Sequence, residues 1–163
     1  MITKTRRGVW ITVAAVVLFI TVVVTSFVHR VSQPRIMGAT EMRANGLFLF
    51  ETPRDPGEFS LVDHRGEAFT PERLEGHWTL IFFGFPHCPD VCPPTLSFLA
   101  DLQRQLESTA AADTQVVMVS VDPARDTVAR LSGYVPYFHP AFVGVTGEFI
   151  DLLNFARTFN APF

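Results

Sequence analysis

Cys88 and Cys92 are the only two cysteines in a chain of 163 residues. They lie in Phe82-Phe83-Gly84-Phe85-Pro86-His87-Cys88-Pro89-Asp90-Val91-Cys92-Pro93-Pro94, between an apolar strand-like run and a helix-like one. On an uninterrupted helix a spacing of four would put both on one face. The prolines argue otherwise: a residue before Pro is biased away from the α region, so Cys92 falls at or just before a helix start, with Pro93 or Pro94 in the first turn. The segment is then a tight loop that can bring two Cα atoms within the roughly 4.4–6.8 Å of a disulfide, or both sulfurs onto one metal ion. The positive end of the helix dipole favours thiolate over thiol and so raises nucleophilicity and metal affinity together. A purely structural disulfide is the weaker use of the pair, because closing a loop of about 5 residues is worth only about 2 kcal/mol. Structural zinc wants four N or S ligands. Two thiolates plus one further ligand suit copper, especially Cu(I).

The elements that must position this loop follow from periodicity. Thr79 to Phe85 is a continuous apolar run of strand length, consistent with a strand buried on both faces. Leu96, Leu99, Leu102 and Leu106 make one stripe on a helix after it. Gln115 to Val121 reads as a second buried strand. A helix from Thr127 carries Val128, Leu131, Val135 and Phe138, with Asp126 as N-cap. Ala141 to Val145 is a third strand-like run, and Phe149 to Phe159 a third helix, with Ile150, Leu153 and Ala156 on one side and Leu152, Phe155 and Phe159 on another. Ahead of these, Phe59 to Val62 and Glu67 to Phe69 flank Asp63-His64-Arg65-Gly66, the pattern of a β-hairpin with Asp63 as turn-former. Alternating strands and helices indicate an α/β layer on a parallel sheet.

The N-terminus is a separate matter. Val9 to Val28 is apolar and uncharged, and about 20 such residues make a helix that crosses a hydrocarbon core of roughly 30 Å. Lys4, Arg6 and Arg7 precede it and hold residues 1–8 in the cytoplasm by the positive-inside tendency, with Arg30 and Arg35 weakening the contrast. A cleaved signal would have a shorter apolar region and a small-residue cleavage site, which His29-Arg30-Val31-Ser32 does not offer. The Arg pair is weak evidence for twin-arginine export, and no Arg-rich transit segment precedes the helix, which favours a bacterial inner membrane over a mitochondrial one. The organisation expected is 1–8 cytoplasmic, 9–28 transmembrane, 29–46 a tether and 47–163 a domain outside the cytoplasm, in the periplasm. A net charge of -3 without clustered Lys and Arg excludes a nucleic-acid partner.

Three stretches together resemble the Sco/SenC family of copper chaperones for cytochrome c oxidase assembly: Gly84 to Pro93, Val119-Ser120-Val121-Asp122-Pro123-Ala124-Arg125-Asp126-Thr127, and Phe142-Val143-Gly144-Val145-Thr146-Gly147. The likeness runs from about Phe59 to the C-terminus. It implies a thioredoxin-like domain that binds a copper ion through Cys88, Cys92 and a distant His. That His belongs to a later Asp-His-Ser type motif, and the chain stops at Phe163 without it; it also stops before the two antiparallel strands and closing helix that such domains carry. The expectation is therefore a C-terminally incomplete domain and a longer complete protein. Pro86 replaces the Thr usual in the family, a change that should affect loop stiffness more than ligation.

The other candidate ligands are weaker. His87 adjoins Cys88, but adjacent residues usually point apart. His64 in the hairpin turn and His77 beside Gly76 are expected to be exposed. His139, before Pro140, is the remaining His that could replace the missing ligand. Asp90 between the cysteines is better suited to capping or solvent than to soft copper, and Asp122 at a strand end could support the site from behind.

Two functions compete. In the first, the chain takes up copper and passes it to an apo subunit of the oxidase, with no substrate bond changed. In the second, Cys88 and Cys92 act as a thiol-disulfide oxidoreductase keeping that subunit's copper-ligating cysteines reduced, although general dithiol oxidoreductases use Cys-x-x-Cys. A copper donor or a thioredoxin-like reductant would be further partners. A third reading is a domain whose site has decayed with loss of the distal His.

Overall fold

In a computed structural model of the chain, residues 2–32, 37–50, 52–161 and 163 are described, and they divide into two compact units, 1–51 and 52–163. The first unit is built from α1 (Ile2–Ser32) and a short α2 (Ala39–Ala44). Within α1, the 24 residues Val9–Ser32 contain an 18-residue stretch with a mean hydropathy of 2.7. At 1.5 Å per residue that is about 36 Å, enough to cross a bilayer by length and composition. The stretch 29–46 is less of an open tether than expected: α1 runs on to Ser32, and α2 occupies six residues of it. Pro34 and Arg35, counted in that stretch, lie outside the described residues.

The second unit is a five-stranded sheet in the order β2-β1-β5-β4-β3. Its elements are β1 (Leu61–Asp63), β2 (Ala68–Phe69), β3 (Thr79–Gly84), α3 (Cys92–Leu106), β4 (Gln115–Ser120), α4 (Val128–Phe138), β5 (Val143–Thr146) and α5 (Phe149–Thr158). The strands β3, β4 and β5 are parallel, while β1 is antiparallel to β5 and to β2. Side chains of β4 alternate between the two faces of the sheet as the pleat requires. Val116 and Met118 pack with Leu96, Ala100, Leu131 and Val135 under α3 and α4. On the other face Val117 and Val119 pack with Leu61, Phe69, Leu152 and Phe155 under α5 and the hairpin.

Three expectations change. The strand β3 packs on both faces, Ile81 and Phe83 against one core cluster and Leu80 and Phe82 against the other, but it is the edge of the described sheet and five of its six residues are only half-buried. An apolar run reports what a strand packs against, not how many neighbours it has, and β4, with the same pattern, lies inside the sheet between β5 and β3. The buried face of α3 is Cys92, Leu96, Ala100 and Gln103 rather than the full leucine stripe; Gln103 is accommodated because its Nε2 donates to the Thr114 carbonyl at 2.9 Å. The side of α5 that faces the core is Leu152, Phe155 and Ala156, whereas Ile150 is exposed.

The hairpin holds the largest departure. Asp63 makes the turn as expected, its Oδ1 accepting from the N–H groups of Arg65 and Glu67. His64 is buried rather than exposed. Its N–H donates to the Gly144 carbonyl at 2.7 Å, and its Nδ1 accepts from the Gly144 N–H at 3.1 Å. The side chain thus extends the β1–β5 pairing by one step. Burial lowers the His64 pKa from its usual value near 6.5, the Asp63 charge opposing. A depressed pKa means that the folded state binds fewer protons than the unfolded one. The stabilisation is therefore complete above about 6.5 and is lost as pH falls through the lower folded value. The expected result is a melting temperature that drops on acidification below pH 6.5, with a shallower drop in His64→Asn, whose carbonyl can accept the Gly144 N–H; thermal melts across that range check it.

Candidate metal centre

The cysteine loop sits where β3 ends and α3 begins. Phe85-Pro86-His87-Cys88 is a turn closed by the Cys88 N–H to the Phe85 carbonyl at 3.1 Å. Pro86 suits the second position of that turn because its ring fixes φ. Cys92 is the first residue of α3, with Pro in the first turn where its missing N–H is no loss. The loop reading of the prolines is therefore what the fold shows. Gly84 makes room behind it: a Cβ there would lie 2.7 Å from Phe82 and 3.2 Å from Cys92 Sγ.

Both cysteines are free, but their surroundings differ. Cys88 is half-buried, and Cys92 is 3% exposed. A hydrogen bond from Cys92 lowers the Cys88 pKa most, and the backbone N–H groups of Asp90, Cys92 and Val91 lower it further. Cys92 is pushed up, first by burial and then by the hydrogen bond and negative charge of Cys88, with Phe85 backbone opposing. The sulfur near the surface is thus the more readily ionised of the two, and the one beneath it the less. The two are within hydrogen-bond reach, the approach that a shared soft metal ion requires.

The SCO1/SenC family model matches residues 51–163. The chain belongs to the SCO1/SenC family. The "Protein SCO2 homolog, mitochondrial" of Bos taurus is 42% identical over 105 residues, covering 64% of this chain and 40% of that protein, so the chain spans well under half of that relative's length. The crystal structure of Arabidopsis thaliana ScoI with copper bound matches with a TM-score of 0.61 at 40% identity, over 64% of this chain and 65% of that one. A structure of BsSco, described as a disulfide switch in a member of the Sco family of cytochrome c oxidase assembly proteins, matches with a TM-score of 0.59 at 25% identity, over 68% and 67%. The fold of the second unit is the thioredoxin-like α/β fold of these Sco structures.

The other candidate residues of this Sco/SenC domain are distributed around the loop and away from it. Asp90 is solvent-exposed and does not cap α3, whose N-cap residue is Val91 without a side-chain bond. His139 ends α4; its Nε2 is 3.8 Å from Glu107, the residue that ends α3, and its ring packs on Phe142. It therefore stands at the end of α3 opposite the cysteines and does not supply a ligand to them. His77 is half-buried, with Nε2 buried and unpaired.

Neither aspartate takes the role expected of it. Asp122 pairs with Arg125 and lines an open crevice of about 520 Å³ with Pro123, Gly147, Glu148 and Phe149, a site without either cysteine. Asp126 is not the N-cap of α4; Thr127 is, its hydroxyl accepting from the Arg130 N–H. Asp126 instead turns inward and is fully buried, accepting from Ser120 Oγ at 2.6 Å, with His87 Nδ1 3.6 Å from its other oxygen. Tyr134 Oη is also buried and unpaired, and the charges of Cys92 and Cys88 add to the burial that raises its pKa. Both lie in stretches where periodicity marks only a helix start or a core face. The signal that could have found Asp126 is the second Asp of Val121-Asp122-Pro123-Ala124-Arg125-Asp126, one too many for a single capping role.

Proposed function

We propose that this protein is a membrane-anchored copper-binding chaperone that carries copper on Cys88 and Cys92 and delivers it to an apo subunit of cytochrome c oxidase. The observation that carries the reading is the cysteine pair itself: two free thiols on one short loop at a helix start, one near the surface and the other buried. Such a pair offers soft donors to Cu(I) and excludes hard cations. Its half-exposed member keeps the cargo within reach of a receiving protein. Copper in the related Arabidopsis ScoI structure supports the choice of metal, and the BsSco description supports the oxidase as destination.

The apolar helix Val9–Ser32 supports a single-pass anchor. The basic residues ahead of it support a cytoplasmic N-terminus with the copper domain on the periplasmic side of a bacterial inner membrane. A donor must hand copper to the loop, and the loop must yield it to a tighter site. Mixing the copper-loaded chain with an apo oxidase subunit should move copper to the subunit. Retention of the metal against a receiver of higher affinity removes delivery as the function.

A second reading is favoured by the asymmetry of the two thiols. The Cys88 thiolate attacks a disulfide of the oxidase subunit and forms a mixed disulfide. Cys92, losing its proton, attacks the Cys88 sulfur and releases the partner as a dithiol. Two electrons pass to the partner, and the chain is left with a Cys88–Cys92 disulfide that a thioredoxin-like reductant must reopen. A reduction potential too high to reduce the partner disulfide removes this reading and leaves copper binding intact.

A further inference from the structure

Outside α1, large apolar side chains that face solvent are scattered singly or in pairs among the described residues, with one exception. Leu47, Phe48 and Leu49 are 49%, 75% and 73% exposed, and the exposed Phe50 follows them. Scattered apolar residues are ordinary on a protein surface, whereas a contiguous run marks a contact with another apolar phase or partner. The run belongs to the same unit as α1, and its start is fixed. Gly46, at a φ of 79°, donates its N–H to the Arg43 carbonyl at 3.0 Å, and the Leu47 N–H donates to the Met42 carbonyl at 2.9 Å. That closure ends α2 in a left-handed glycine turn and customarily sets an apolar residue after the turn against one in the helix, the positions held here by Leu47 and Met42.

Resting on the membrane-anchored reading, we propose that the run 47–50 is a second attachment to lipid, with Leu47, Phe48 and Leu49 inserted into the interfacial layer of the bilayer that α1 crosses. The chain itself argues for that occupant. Residues 33–46 separate the end of α1 from the run, six of them in α2, so Leu47 stays within about 40 Å of Ser32. So short an apolar run is too small to hold a free protein on a membrane. Tethered this closely to a spanning helix, it meets the surface at a high effective concentration, and insertion no longer costs the freedom of a whole molecule. Leu and Phe are side chains that interfacial segments bury at the boundary between headgroups and acyl chains. Arg30 and Arg43, in the last turns of α1 and α2, add attraction to anionic headgroups, which Glu41 partly offsets. An inserted run returns the chain to the lipid surface just before the second unit begins at Thr52.

Single-tryptophan forms of the full chain test this, reconstituted in vesicles of phosphatidylcholine and phosphatidylglycerol with and without brominated acyl chains. The two tryptophans are Trp10, in α1, and Trp78, in the second unit. Trp78→Phe leaves Trp10 as a reporter of the anchor. Phe48→Trp, combined with Trp10→Phe and Trp78→Phe, places the reporter in the run. The expected result is strong quenching of both reporters by brominated lipid, with the emission from position 48 blue-shifted from that of an indole in water. Leu47→Ser with Leu49→Ser should abolish quenching at position 48 and leave Trp10 quenching unchanged. Circular dichroism establishes that each form is folded. A quenched Trp10 with an unquenched reporter at position 48, whether its emission is that of water or of a covering protein surface, overturns this inference alone. So does quenching at position 48 that survives the two serines. A Trp10 that brominated lipid does not quench overturns the anchor reading and this inference with it.

Discussion

Phe155→Ala is expected to destabilise the domain by about 3–5 kcal/mol, the usual range for truncating a buried Phe. Phe155 is 2% exposed and sits at the centre of an aromatic group, with ring centroids 4.6 Å from Phe59, 5.0 Å from Phe159 and 6.3 Å from Phe83. Its removal leaves a cavity between the sheet and α5 and strips aromatic contacts, edge-to-face with Phe59 and tilted with Phe159 and Phe83, of a kind worth about 0.5–1.5 kcal/mol per pair beyond area burial. Against a total of about 5–15 kcal/mol for an ordinary domain, that is enough to populate unfolded chain at 37 °C. Phe83 belongs to β3, the strand that ends at the cysteine loop, so the loss reaches the site through the strand. Urea unfolding followed by near-ultraviolet circular dichroism reads the shift in midpoint. A midpoint within experimental error of the parent's contradicts the packing described.

The second large effect is chemical. Cys88 and Cys92 should react with iodoacetamide at different rates at pH 7, Cys88 the faster, since a lower thiol pKa leaves a larger thiolate fraction. Lowering at Cys88 by its neighbour's hydrogen bond and the backbone N–H groups, and raising at Cys92 by burial, both act in that direction. Accessibility adds to it, with Cys92 almost wholly covered. Replacing Cys92 with Ser retains a hydroxyl donor to Cys88, whereas Cys92→Ala removes it; the Cys88 rate should rank with parent and Ser above Ala at a pH below the thiol pKa. Mass spectrometry of timed quenches gives the rates. Equal rates at the two sites contradict the asymmetry.

Much of the fold is legible in the amino-acid sequence because hydrophobic periodicity reports burial directly. The runs from Thr79 and Gln115 begin where β3 and β4 begin and extend one residue past each, and the run from Ala141 overlaps β5, which is shifted towards Thr146. The prolines around Cys92 place it at the start of α3. What periodicity does not carry is pairing. β3 and β4 read alike, yet one is at the edge and the other lies between two neighbours, because strand order depends on contacts between distant segments.

Polar residues were the harder part, and for one reason: a polar side chain is assigned to solvent unless its buried partner is known. His64 is buried because Gly144, 80 residues away, supplies both halves of its hydrogen bonding. Asp126 turns inward because Ser120 meets it there, while Thr127 takes the capping position beside it. Cys88 and Cys92 were visible by residue type and spacing. Their unequal environments needed the loop in three dimensions.

Copper uptake by the cysteine loop is what the proposed function requires first. Titration of the fully reduced chain with Cu(I), in competition with a chelator of known affinity, tests that directly. The predicted result is uptake of about one equivalent, abolished in the Cys88→Ser, Cys92→Ser double variant, as expected for a site built on two soft donors. No uptake by the parent chain, or uptake that survives loss of both sulfurs, contradicts it.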